Sequence, residues 1–310
     1  MNCTVAIPCR TDEPALGRTL AQVWEGWRVG GGSDAGCLEV LVCLNGPDVP
    51  NSRAHDDLVG FATGHGCAVV RAEAEVGDAV GDAVVVRLVV LAEPGKARAW
   101  NALRRHVRTD VVLFADADVS IGDGTVGRLL SALAGAPDAI LATPRTGCLA
   151  RDTWFESVMA APYGVAFPNL SGQLYAARTD ALPPAMPETL IEPERWLELV
   201  VGPTHVLHVA DAHVLVRLPG TFRDFVRQRV RIEMGKVQLR RDLPGLLERS
   251  APQPGLRAAL RGLGLGALVR LGIYLMLRAG CHAIAALTYR SRESPTRWPQ
   301  AASTKRWEMP

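Results

Sequence analysis

Short apolar runs bounded by turn residues alternate, along the first two thirds of the chain, with segments whose apolar positions recur every three or four residues. The first kind of run reads as buried strand and the second as amphipathic helix. Strands are predicted at about Thr4–Pro8, Leu38–Leu44, Cys67–Arg71, Ala83–Leu91, Val111–Ala115 and Ala139–Thr143, and helices around Leu16–Trp27, Arg53–Gly64, Lys96–Val107 and Thr125–Ala134. Asn45-Gly46-Pro47 is a turn signal, and the acidic stretch ending at Asp82 reads as a loop. Strands alternating with helices predict βαβ units, hence an α/β fold with a mostly parallel sheet.

Ligands of such sheets bind beyond the carboxyl ends of the strands, and that is where the polar residues gather. Arg10, Thr11 and Asp12 follow the first strand, Asn45 the second, Glu93 and Lys96 the strand ending at Leu91, and Asp116 and Asp118 the strand ending at Ala115. Alternate side chains of an extended chain share a face, so Asp116 and Asp118 can address one hard cation through oxygen, as Mg²⁺ or Mn²⁺ requires. A cation there would hold a diphosphate. Four strand ends turned toward one crevice imply a nucleotide site.

Composition adds size and charge. With 310 residues, 48% of them hydrophobic, the chain is long enough for one large α/β domain and an appendage. The seven cysteines are scattered without paired spacing, and the amino terminus runs straight into a strand without a signal-peptide pattern, so a reduced, cytoplasmic protein is expected. Residues 1–220 hold 17 Lys and Arg against 26 Asp and Glu, whereas residues 221–310 hold 17 against 6. The expected boundary therefore falls at 220, between a catalytic domain (1–220) and a basic helical region (221–310). Sparse aromatics and the lack of a recognition motif argue against nucleic acid; an anionic membrane surface or a phosphorylated ligand fits the charge better.

Over about residues 3–235 the chain resembles the family 2 inverting glycosyltransferases of GT-A fold. Val5-Ala6-Ile7-Pro8 through Asp12 is similar to their opening strand and nucleotide-contacting loop, and Gly95-Lys96 through Asn101 to their Gly-Lys-x-x-Ala-x-Asn helix start. Asp116-Ala117-Asp118 stands where they carry the metal motif, Gly172–Arg178 where they have an acceptor-side strand, Ile191–Glu194 where they have the catalytic acids, and Gln228-Arg229-Val230-Arg231-Ile232 resembles Gln-x-x-Arg-Trp. The resemblance implies a Rossmann-like, mostly parallel mixed sheet flanked by helices, with a helical basic carboxyl-terminal extension. It implies a UDP- or GDP-sugar donor contacted by Pro8, Arg10, Asp12, Asn45, Lys96, Asn101 and Asp116, a Mg²⁺ or Mn²⁺ ion on Asp116 and Asp118, and a hydroxyl acceptor that is lipid-linked or a small molecule.

Departure of a nucleoside diphosphate from an anomeric carbon builds negative charge on the leaving group, so the site needs preorganised positive charge. The metal, Lys96 at a helix start, and Arg231 with Gln228 a turn away on the same helix face are the candidates. A hydroxyl near neutral pH attacks only as its proton is removed; Glu194 is the first choice of base, with Glu192 behind it and Glu188 a weaker third. His213, in an apparent strand Ala212–Val216, is a candidate third metal ligand or a structural residue, and Ser120 an alternative to it. Ile232 in place of Trp removes an aromatic platform for an acceptor sugar, which favours single-sugar transfer. Residues 263–289 read as an amphipathic helix whose partner is either the membrane interface, with Arg290, Arg292, Arg297, Lys305, Arg306, Trp298 and Trp307 at the headgroups, or the catalytic domain. The competing readings are a sugar-nucleotide pyrophosphorylase, which lacks its glycine-rich loop here, and a catalytically decayed binding protein.

Overall fold

A computed structural model describes the chain except residues 1, 30–36, 74–83, 150–152, 166–169, 249–259, 261–262 and 290–310. The acidic loop before Ala83 and the Arg- and Trp-bearing tail from Arg290 lie outside the described residues. The rest forms two compact units interleaved in sequence. The first comprises Met1–Arg145, Leu170–Glu188 and Thr204–Leu215, and the second Thr146–Asn169, Thr189–Pro203 and Val216–Pro310. Hydropathy and charge had suggested one boundary at 220.

The first unit is built on a nine-stranded mixed, mostly parallel sheet: β1 (Cys3–Arg10), β2 (Leu38–Asn45), β3 (Val69–Arg71), β4 (Val84–Leu91), β5 (Val111–Ala115), β6 (Ser120–Ile121), β7 (Leu141–Leu149), β8 (Leu174–Arg178) and β9 (Val206–Arg217), in the order β3-β4-β2-β1-β5-β8-β7-β9-β6. β1 pairs in parallel with β2 and β5, β4 does so with β2 and β3, and β8 runs antiparallel to β5 and β7. Helices α1 (Leu16–Val29), α2 (Arg53–Gly64), α3 (Lys96–His106) and α4 (Thr125–Gly135) connect the strands. Because helices cover a parallel sheet, its central strands are apolar on both faces: Val5, Ile7, Val40, Val42 and Leu113 share a core with Leu16, Leu20, Val23 and Trp27 of α1, the i, i+4, i+7 and i+11 stripe that made this helix legible.

The sheet opens where the site is expected. The pairing of β1 with β2 runs on to Arg10↔Asn45, but its pairing with β5 ends at Ala6↔Phe114. Pro8, which has no N–H to give a ladder, falls just past that point, which is why a proline is tolerated in a central strand. The connections that follow β1 and β5 lead in opposite directions, to β2 and to β6, so this is the topological switch point of the sheet.

The second unit contains α5 (Trp154–Ala160), α6 (Pro193–Val201), α7 (Phe222–Asp242), α8 (Pro244–Leu247) and α9 (Leu265–Thr288). α9 packs along α7 through two apolar clusters, one around Phe225, Tyr274 and Cys281 and the other around Met234, Val237 and Ala285. β1, β7 and β9 each run past the bounds that their sequence suggests. β9 spans twelve residues, but exposed His208, Ala210 and Asp211 interrupt its apolar positions, which hid its period outside Ala212–Val216.

Candidate active site

β5 ends at Ala115, and the Asp116 N–H still donates to the Gln173 carbonyl at 2.8 Å. The chain then turns instead of staying extended, yet burial keeps the alternation: Ala117 and Val119 are buried, Asp116 and Asp118 half-buried. α1 fixes the turn. The Thr19 hydroxyl donates to the Ala117 carbonyl at 2.8 Å, Arg18 to the Val119 carbonyl at 3.2 Å, and the Gln22 side-chain oxygen accepts the Ile121 N–H at 3.0 Å. Gln22 also reaches Ser120 Oγ at 3.4 Å, so Ser120 serves the same clamp. These three α1 residues were not among the sequence candidates, and no motif marks them in the sequence.

Lys96, the first residue of α3, places Nζ 2.7 Å from Asp116 Oδ1 and 3.1 Å from the Gly172 carbonyl. Two expected site residues are thereby brought together at the carboxyl edge of the sheet. Arg10 grips Asp12 with two hydrogen bonds of 2.8 and 2.9 Å, and that bonding raises the guanidinium pKa further above its ordinary value. Asn45 is buried at the end of β2, and the next residue, Gly46, has φ +136°; a Cβ there would lie 2.8 Å from Thr11 Oγ1. Glycine therefore lets the turn after β2 approach the loop after β1.

Asn101, expected among the donor contacts, is buried, and its amide nitrogen and oxygen bond the Met186 carbonyl and N–H, both at 2.9 Å. It positions the 186 segment against α3. Beside it Trp100 donates to the Tyr175 hydroxyl at 2.9 Å and stacks on Phe114. Glu188, the weakest base candidate, is paired with Arg98 at 3.0 Å. His213 is exposed on β9, because strand alternation places it opposite the buried Ala212 and Val214, and its N–H donates to Thr125 Oγ1 at 3.0 Å. Among the described residues, no three His, Cys, Asp or Glu side chains gather as a metal cluster.

The other candidates belong to the second unit. Glu192 precedes Pro193, the first residue of α6, and Glu194 sits in that helix's first turn, where its charge suits the dipole. Gln238 of α7 accepts the Ile191 N–H at 3.0 Å and donates to the Thr189 carbonyl at 2.9 Å, anchoring the acidic segment. Gly235, mid-helix in α7, makes room for Glu192: a Cβ there would lie 2.4 Å from Glu192 Cγ. Burial pushes the Glu192 carboxyl up to about 7, against the pull of Lys236 and Arg229 and with Glu194 and Glu233 adding to the rise. Gln228 and Arg231 both lie on α7, Gln228 half-buried and Arg231 exposed.

A sheet that splits at its switch point, with a carboxylate and a lysine at the carboxyl end of β5, defines a nucleotide-binding α/β protein of GT-A architecture. The chain belongs to the family described as Glycosyltransferase like family 2, which matches residues 2–186. It is therefore a glycosyltransferase that takes its sugar from a nucleotide sugar. A mannosyltransferase from Pyrobaculum calidifontis, solved with GDP-Man and Mn²⁺, shares the fold at 20% identity and TM-score 0.55, over 93% of this chain and 76% of that one. A glucosyl-3-phosphoglycerate synthase from Mycobacterium tuberculosis aligns at 15% identity and TM-score 0.48, over 77% of this chain and 78% of that one. For a mannosyl-3-phosphoglycerate synthase from Rubrobacter xylanophilus the values are 17%, 0.48, 83% and 78%. No protein in the curated comparison matches.

Proposed function

We propose that this chain is a metal-dependent inverting hexosyltransferase, acting in the cytoplasm, that moves one sugar from a UDP- or GDP-sugar to a hydroxyl of a lipid-linked or small-molecule acceptor. The observation that carries the reading is the Lys96–Asp116 pair at 2.7 Å on the turn that also bears Asp118. Two half-buried carboxylates are a suitable protein share for Mg²⁺ or Mn²⁺, which complete their shells with water and substrate phosphate; Asp116 and Asp118 would hold the ion. When bound, the cation supplies positive charge to the departing diphosphate. Lys96 adds a second charge at the start of α3, where free N–H groups also favour anions. Arg231 and Gln228 are assigned to the diphosphate by their motif order.

The acceptor proton goes to a carboxylate of Glu192-Pro193-Glu194. The raised carboxyl of Glu192 supports it over Glu194, since a general base works best with a pKa near the working pH. Ile232 supports transfer of a single sugar. A donor panel assayed for hydrolysis and transfer with Mn²⁺, with and without chelator, tests the reading. Asp118→Ala should lose ~100-fold or more of the chelator-sensitive turnover. Unchanged turnover in that variant, or no turnover with any donor, would overturn it.

A further inference from the structure

α9 turns Arg278 and His282 toward α7, while Arg270 and Thr288 are exposed at the edge of its open side. Arg278 Nε lies 3.1 Å from Glu233 Oε1 and His282 Nδ1 3.1 Å from Oε2, and Arg229 and Lys236 of α7 bind the same carboxylate at 2.7 and 2.8 Å. Tyr274, Cys281 and Ala285 are buried on the side toward α7 as well. The opposite arc, traced at 100° per residue, carries Leu265, Val269, Met276, Ile284 and Leu287 with no charged residue among them, and it is open: Met276 is 69% exposed and Leu287 86%. An exposed apolar stripe this long marks an interaction surface.

We infer that the outward face of α9 docks flat on an anionic phospholipid bilayer, with a lipid phosphate taken by the cation-lined cavity on its flank. That cavity, about 240 Å³, lies at the seam of α7 and α9, where Lys236, Arg240, Arg278 and His282 surround Glu233 beside Leu275 and Ala279 of α9. Cations bordering an apolar stripe are the arrangement that an interfacial helix needs. α9 is long and apolar enough to cross a membrane. Its pairing with α7 holds it in the interface instead, because α7, with Arg223, Arg227, Arg231 and Arg240 exposed, cannot enter hydrocarbon. A second copy of the chain is the poorer occupant, since a two-fold contact would set the same net-positive flank against itself.

Vesicle co-sedimentation of the full chain tests this without any sugar donor, so failure of the glycosyl-transfer reading leaves it standing. The chain should pellet with phosphatidylcholine vesicles containing roughly 30% phosphatidylglycerol and much less with pure phosphatidylcholine. Met276→Glu with Leu287→Glu, both on the open face, should weaken binding about tenfold or more. Arg240→Ser should weaken it about fivefold on anionic vesicles only. Matching circular dichroism and melting curves confirm that the variants are folded. Absence of binding to both vesicles, or unchanged binding by the double variant, overturns the inference. So does a lipid-free dimer, seen by light scattering, that the double variant converts to monomer.

Discussion

At the scale of single residues, Glu192 carries a measurable signature. Its carboxyl is raised by burial to about 7, so as a base it is half-protonated at neutrality, and turnover should climb with pH through about 7. Glu192→Gln should abolish that limb along with most of the activity, while Glu194→Gln keeps the limb. Stability moves the other way. A carboxyl whose folded pKa lies above its unfolded value gives stability that is full below the unfolded pKa and is lost as pH rises through 7. Glu192→Gln removes a charge that is costly to bury at pH 8, so it should melt higher than the parent there and show no such gain near pH 4, which scanning calorimetry at both pH values checks. A variant that melts lower at pH 8 would refute the buried, raised carboxyl. The sequence named this residue only as the second choice, because Glu-Pro-Glu looks symmetric in one dimension; the close approach of Gly235 to Glu192 distinguishes its two acids.

Among the elements, α1 matters for what it fixes as well as for the core that it builds. Thr19→Val keeps the shape but removes the hydroxyl that donates to the Ala117 carbonyl. The expected cost is about 1–3 kcal/mol, because a buried carbonyl loses its partner, together with a rise in the Mn²⁺ concentration needed for half-maximal turnover that exceeds the fall in kcat. Metal titrations and denaturant melts separate the two effects. Gly235→Ala should likewise destabilise by about 1–3 kcal/mol and blunt activity, since its methyl needs the space of the Glu192 side chain. Elements with a strong period were legible in the sequence: α2 and β5 have the bounds expected, and α1 differs only at its end. β6, two residues long, and α5, seven residues long, are too short to show a period. Gly235 was a signal left unread, since a glycine inside a helix costs about 1 kcal/mol and needs a packing reason. Asn101 shows what a motif leaves out: the spacing does not reveal that its buried amide is bonded at both ends to Met186 and holds that loop in place.

For the molecule as a whole, the charge division along the sequence turns into architecture through Glu233. Three cationic side chains and the His282 imidazole, from two helices, converge on one carboxylate that is 1% exposed, so α7 and α9 are tied by a centre that fails if its anion is removed. Burial alone would raise this carboxyl, but Lys236 and Arg229 outweigh it and hold it at about 2. A depressed carboxyl contributes stability that is present above its unfolded pKa and is lost as pH falls toward the folded one. Acid melting should therefore steepen between about pH 4.5 and 2 in the parent. Glu233→Gln should cost about 3 kcal/mol at pH 7, the low end for breaking a buried ion pair because Arg278 keeps access to water, and it should flatten that acid limb. Melting followed by helix circular dichroism from pH 2 to 7 compares the two proteins. If the parent and Glu233→Gln lose stability in parallel as pH falls, the carboxylate is not what joins α7 to α9, and their apolar clusters around Tyr274 and Ala285 must hold the pair unaided.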